Sequence, residues 1–130
     1  MTAYVYLLSN PCMPGIYKIG MTSKTPEIRC RQLYKSSSMP TRFKIEAYWL
    51  CEDSLEARDI EILLHEWHGE FRMGESEFFK TDITRLVDVN CVLKDPDFLS
   101  DSLKEVIEDN EASIDEIALI LEGGSDGRLD

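Results

Sequence analysis

Two short runs of aromatic and β-branched residues, "YVYLLS" at 4–9 and "IYKIG" at 16–20, flank the turn-rich hexapeptide "NPCMPG". Such runs around a Pro/Gly/Asn cluster read as an antiparallel hairpin. In the first run Tyr4, Tyr6 and Leu8 share one face, and Val5, Leu7 and Ser9 the other. A hairpin cannot bury its apolar face alone, so the elements that follow must cover it. "TPEIRCRQLYK" opens with Thr25, suited to an N-cap, and Pro26, suited to the first helical position, which predicts a helix over about 26–35. "SSSMPT" ends it. "RFKIEAYWLC" then alternates Phe43, Ile45, Ala47 and Trp49 with Lys44, Glu46, Tyr48 and Leu50, a third strand with a well-covered face. Asp53 and Glu56 resemble a capping box, and Ile60, Leu63, Leu64, Trp67 and Phe71 recur at helical spacing. They predict a helix from about 54 to 71 whose apolar stripe packs on the sheet. "EFFK" reads as a short strand or extended stretch, and "TDITRLVDVNCVLK" as a third helix.

The fold class expected is therefore α+β, a small three-stranded antiparallel sheet (hairpin, helix, strand, helix) flanked by helices. Residues 1–80 form one predicted domain and residues 81–130 an acidic helical C-terminal extension. Beyond Lys94 the apolar positions Phe98, Leu99, Leu103, Val106 and Ile107, then Ile114, Ile117, Ala118 and Leu121, point to two short helices before a Gly/Ser/Asp end.

Charge divides along the same line. The chain of 130 residues carries a formal net charge of −11, but residues 1–45 hold seven Lys/Arg against the single acid Glu27. Residues 46–80 hold three bases against ten acids, and residues 81–130 four against fourteen. Only the first segment is a candidate phosphate-binding surface. Cys12, Cys30, Cys51 and Cys91 contain no CxxC pair, which argues against a zinc knuckle or a disulfide framework and for reduced thiols. No basic leader opens the chain and no apolar run approaches the ~18 residues of a membrane span, so a cytoplasmic protein without membrane contact is expected.

The order "YVYLL", then "YKIG", an Arg on the next helix and a Glu on the one after resembles the GIY-YIG nuclease superfamily. It is most similar to the divergent phage-type branch, the phage T5 open-reading-frame type domain, in which "KIG" followed by a Thr, here Thr22, is typical of the second motif. "EILLH" at 61–65, Arg72 and "ESEFF" at 75–79 also resemble that branch. The likeness runs from residue 4 to about 80. It implies metal-assisted hydrolysis of a phosphodiester, with an activated water, a cation on the phosphate and one divalent metal, Mg²⁺ or Mn²⁺.

By that resemblance Tyr6 orients or deprotonates the water, and a phenol of pKa ~10 needs a nearby cation to do so. Lys18 stands where better-known members carry the second-motif tyrosine and could be that cation; read alone, it is a lysine covering strand aliphatic area. Gly20 would let the backbone turn closely into the next loop. On the first helix, Arg29 lies at the border of the Cys30, Leu33, Tyr34 face and matches the family's phosphate-binding arginine, whereas Arg31 points with Lys35 to the opposite side. Thr22, Lys24, Arg31 and Lys35 complete the predicted substrate-binding set. Glu61 matches the metal-binding glutamate, and His65 a histidine near the phosphate, as proton donor or contact. Glu61, His65 and His68, at i, i+4 and i+7, could alternatively hold a transition metal by themselves.

Two positions depart from the family pattern. Leu33 replaces the His or Tyr found in many members one turn after the arginine, leaving a proton-handling role to Tyr17, Tyr34 or His65. Asn90 stands further from Glu61 than the family's late structural asparagine. Glu77 fits the branch pattern, with no role assignable beyond capping or ion pairing. The resulting expectation is a metal-dependent DNA endonuclease, RNA not being excluded. The alternatives are a binding module with weakened or lost catalysis, suggested by Leu33, and a regulator that meets a protein partner, or the protein's own basic face, through residues 95–130.

Overall fold

The computed structural model describes residues 1–87 and 95–109. The chain divides into two compact units, Met1–Ser100 and Asp101–Asp130. In the first, the elements run β1 (Ala3–Ser9), β2 (Ile16–Thr22), α1 (Pro26–Ser36), β3 (Lys44–Cys51), α2 (Ser54–Trp67), a 3₁₀ turn (Gly69–Phe71), β4 (Phe78–Lys80), α3 (Ile83–Leu86) and β5 (Phe98–Leu99). Of the second unit, residues 101–109 are described and are helical.

The sheet has five strands in the order β4-β2-β1-β3-β5, all pairs antiparallel, rather than the three expected. The additional strands are edges of three and two residues, too short to display period-two alternation. β4 adds to the hairpin through Ile16↔Lys80, Tyr17↔Phe79 and Lys18↔Phe78. β5 pairs with β3 and is latched there by Glu46, which is 7% exposed. Its carboxylate accepts from Ser9 Oγ at 2.6 Å and Ser100 Oγ at 2.5 Å, and its carbonyl from Ser100 N at 2.8 Å. Hydroxyls from β1 and from the residue after β5 thus make it possible to bury an acid at the bulge of β3.

β1 is the central strand, and Val5, Tyr6, Leu7 and Leu8 are all buried. Tyr6 and Leu8 cluster with Cys30 of α1 and Phe43, joined by Met13, Leu33, Met39, Ile45, Tyr48 and Phe78. The hairpin loop is pinned to the segment before β3 by buried Asn10, whose Nδ2 donates to Thr41 O at 3.0 Å while its Oδ1 accepts from Cys12 N at 3.0 Å. Both predicted caps form: Thr25 Oγ1 accepts from Ile28 N at 3.3 Å and Asp53 Oδ1 from Glu56 N at 2.8 Å.

α2 packs across β2 and β1 on only part of the predicted stripe, with Leu64 buried and Ile60 half-buried. Ala57, Leu64 and the capping residue His68 are buried, whereas Leu63 and Trp67 are exposed, Trp67 by 62%. The helix ends at Trp67, and polar Glu61 and His65 occupy the half-buried flank of the inward face. The third helix is described only as Ile83–Leu86; residues 88–94, with Asn90 and Cys91, lie outside the described residues. Cys12, Cys30 and Cys51 are free thiols. Among the described residues no helix is long and apolar enough to cross a membrane.

Candidate functional site

The floor of the site is the β1–β2 register. Tyr6 stands directly opposite Gly20, and Leu8 opposite Lys18, so Tyr6, Lys18 and Gly20 share one face of the sheet. Gly20 is required there by space: a Cβ would lie 2.5 Å from the Tyr6 phenol oxygen and 2.7 Å from Cζ. The ring therefore lies across the Gly20 backbone, and its phenol is brought to α1.

There it meets Arg29. Arg29 Nε is buried with no hydrogen-bond partner, and Nη1 makes only a long 3.5 Å contact to Gln32 Oε1. Burial raises the Tyr6 phenol above its ordinary pKa; the neighbouring Arg29 guanidinium opposes this, and the charges of Glu77 and Glu61 add to it. The cation serving Tyr6 is thus Arg29, where the sequence suggested Lys18.

Lys18, 8% exposed, is engaged elsewhere. Its Nζ donates to Glu77 Oε2 at 2.5 Å and lies 5.2 Å from the centroid of the Phe78 ring. Glu77 also reaches Glu61 of α2. Burial first, then the charge and hydrogen bond of Glu77, push the Glu61 carboxyl up to about 7, against the pull of Lys18 and Arg58. Glu61 Oε2 is buried with no hydrogen-bond partner. Two buried polar atoms of opposite character, an acceptor on Glu61 and a donor on Arg29, are thus left without hydrogen-bond partners on side chains whose charges act on Tyr6.

The turn carrying Glu77 is built by Arg72. Its Nε donates to Ser76 O at 2.7 Å and its Nη2 to Glu75 O at 3.0 Å, closing a loop in which Gly74 adopts φ +64°. Glu77 O then accepts from Ile19 N at 3.0 Å, which aligns the acid beside β2. Sequence reasoning left Glu77 without chemistry, although "ESEFF" singled it out; the contact with Lys18 exists only because β4 pairs with β2.

His65 Nε2 lies 2.9 Å from Ile19 O. A carbonyl only accepts, so Nε2 is the nitrogen that donates there, and Nδ1 is the ring atom left for another partner. The ring also packs 5.2 Å from Phe79. His68 is turned into the interior, 2% exposed. Among the described residues no group of three or more His, Cys, Asp and Glu side chains is arranged to hold a metal, so the Glu61–His65–His68 alternative does not assemble.

Of the remaining predicted residues, Thr22 is buried and its Oγ1 accepts from Lys24 N at 3.1 Å, shaping the loop into α1. Lys24, Arg31 and Lys35 are exposed. Arg31 borders a cavity of about 370 Å³ between α1 and the start of β3, lined also by Glu27, Cys30, Arg42, Phe43 and Ile45. The Arg42 guanidinium lies over the Tyr34 ring at 5.2 Å. Leu33 packs against the Tyr6 cluster, so no titratable group stands at that position beside the phenol.

No curated protein and no solved structure matches this chain. The model of the T5orf172 domain matches residues 3–95, a span that contains every residue of the cluster from Tyr6 through Arg29, Glu61 and Arg72 to Glu77. By that match the chain belongs to the T5orf172 domain family, a nuclease-associated family of the GIY-YIG type.

Proposed function

We propose that the protein is a metal-dependent endonuclease that hydrolyses DNA phosphodiester bonds at the Tyr6–Arg29–Glu61 cluster. The observation that carries this reading is the pair of orphaned atoms, a buried carboxylate oxygen short of a cation and a buried guanidinium N–H short of an anion, on the two side chains whose charges act on the Tyr6 phenol. Glu61, an oxygen donor with an unsatisfied lone pair, fits a hard Mg²⁺ or Mn²⁺ ion. When bound, such an ion supplies Lewis-acid stabilisation of charge on the phosphate.

The protein's own groups account for the rest. Arg29 holds a phosphate oxygen while fixing the orientation of the Tyr6 hydroxyl. Tyr6, its pKa raised, is a poor base at neutral pH and acts by aligning the attacking water, with proton removal falling to a stronger acceptor. His65, with Nε2 spent on Ile19 O and Nδ1 left over, is the side chain we assign to that task. Lys18, tied to Glu77, adds positive potential beside the scissile group. Lys24, Arg31 and Lys35 offer exposed charge to the backbone on either side.

Supercoiled plasmid incubated with Mn²⁺ should be nicked by the parent and left intact in EDTA. Glu61→Gln and Arg29→Ala should each slow nicking by about 100-fold or more. Parent-like cutting by both variants would show that this cluster is not the site. A second reading, a DNA-binding module without efficient catalysis, is favoured by Leu33, whose packing on the Tyr6 cluster removes a proton-handling group. It predicts salt-dependent DNA binding with no metal-dependent nicking by any form.

A further inference from the structure

Glu77 is fixed more firmly than a surface acid needs to be. Its own carbonyl is bound by Ile19 N, the two carbonyls before it are held by Arg72, and the residue after it pairs with Lys18 in the sheet. Its side chain is nevertheless 40% exposed. One end of the carboxylate is therefore tied down while a path from solvent stays open.

The Glu61 and Glu77 carboxyls come from different elements, α2 and the turn before β4, which meet at Ile19. The Ile19 carbonyl lies 2.9 Å from His65 Nε2, one turn after Glu61, and its N–H donates to Glu77 O at 3.0 Å. The charge of Glu77 is felt at Glu61. Two acids facing each other repel when both are ionised. An ion pair from Lys18 to Glu77 relieves only one of them, and Glu61 Oε2 remains buried without a donor. A buried acceptor left unsatisfied is costly, and a divalent cation at this point would satisfy it. A carboxylate offers about four lone-pair sites, so Glu77 can keep Lys18 on Oε2 and still present an oxygen to a cation beside Glu61. With both acids ionised, Lys18 and one divalent cation would leave the cluster at a net charge of about +1, complementary to a phosphodiester.

We propose that Glu77 is a second protein ligand of the divalent cation held by Glu61, and the residue that ties that cation to Lys18; this rests on the reading of Glu61 as a metal-holding residue. Two carboxylates with the remaining positions open to water and phosphate oxygens are a normal donor set for Mg²⁺. The competing role is that of a counter-ion to Lys18 alone.

The two roles separate in metal binding without DNA. Mn²⁺ is titrated into the full-length protein and the resonance of free Mn²⁺ is followed by electron paramagnetic resonance. The parent should take up one ion, and Glu61→Gln and Glu77→Gln should each weaken uptake by about tenfold or more. Lys18→Met, which removes the ion pair but no ligand, should bind Mn²⁺ at least as well as the parent. Should Glu77→Gln fail to fold, as read by near-ultraviolet circular dichroism, Glu77→Asp makes the same test. It keeps the negative charge while drawing the carboxylate back from Glu61, and uptake should again weaken. Parent-like uptake by a folded Glu77 variant overturns the proposal while leaving Glu61 as the metal residue. Failure of the parent to take up Mn²⁺ overturns both.

Discussion

A methyl group added at Gly20 would meet the Tyr6 phenol oxygen at 2.5 Å and Cζ at 2.7 Å. The ring has nowhere to retreat, because Tyr6 is 1% exposed and packed among Leu8, Cys30 and Phe43. Gly20→Ala should therefore destabilise the fold by about 1–3 kcal/mol, the usual cost of overpacking. Tyr6→Phe removes the closest of the clashing atoms, so in a urea-denaturation cycle the double variant should be more stable than the two single losses would add up to. Strict additivity would show that the ring moves aside without cost. The glycine and the tyrosine were both readable from "YVYLL" and "YKIG", as were Arg29 at the border of its helix face and Glu61 at the edge of the α2 stripe. The partner of each was not. Tyr6 takes Arg29 and Lys18 takes Glu77, pairings decided by the positions of α1 and β4 over the hairpin, which no spacing along the chain encodes.

The turn from Arg72 to Phe79 shows the same division among elements. An isolated Arg, a Gly and an acid within eight residues carry no period, and a three-residue edge strand is invisible to alternation. In the structure Arg72 donates to two carbonyls of the turn, Met73 N donates to Phe78 O at 2.8 Å, and Arg72 bridges to Phe79. Arg72→Ala should cost about 1–3 kcal/mol, the range for hydrogen bonds from a charged group. Amide hydrogen exchange over residues 73–79 should quicken while exchange in β1 stays slow. Mn²⁺ uptake should fall with it, since Glu77 loses its support; unchanged exchange in the turn would mean that β2–β4 pairing alone holds Glu77. The α2 stripe was misread for a related reason. Glu61 and His65 occupy the inward flank that a purely structural helix would fill with apolar residues, so the period of Ile60, Leu63 and Trp67 points partly to solvent. A functional site on a helix costs the helix some of its amphipathic pattern.

The chain as a whole carries its charge in opposition. Residues 1–45 are net basic and display Lys24, Arg31, Lys35 and Arg42 to solvent, whereas residues 101–130, the second compact unit, hold ten acids against two bases. The sequence placed the change of character near Lys94; β5 and the Ser100 latch on Glu46 carry the first unit on to Ser100. A cut after Ser100 therefore removes acid while keeping every strand of the described residues, which a cut after Lys94 would not. Charges tethered to a DNA-binding domain repel the phosphate backbone through solvent over about one Debye length, ~10 Å at 0.1 M salt, whatever surface they rest on. Deleting residues 101–130 should consequently raise affinity for duplex DNA by about 3–10-fold at low ionic strength, with the gain disappearing toward ~1 M salt, where the Debye length is ~3 Å. Fluorescence anisotropy across a salt series measures both limits. A gain that persists at high salt would instead mean that the acidic unit covers the DNA-binding face by contact, and no gain at any salt that its charge is fully spent in solvent.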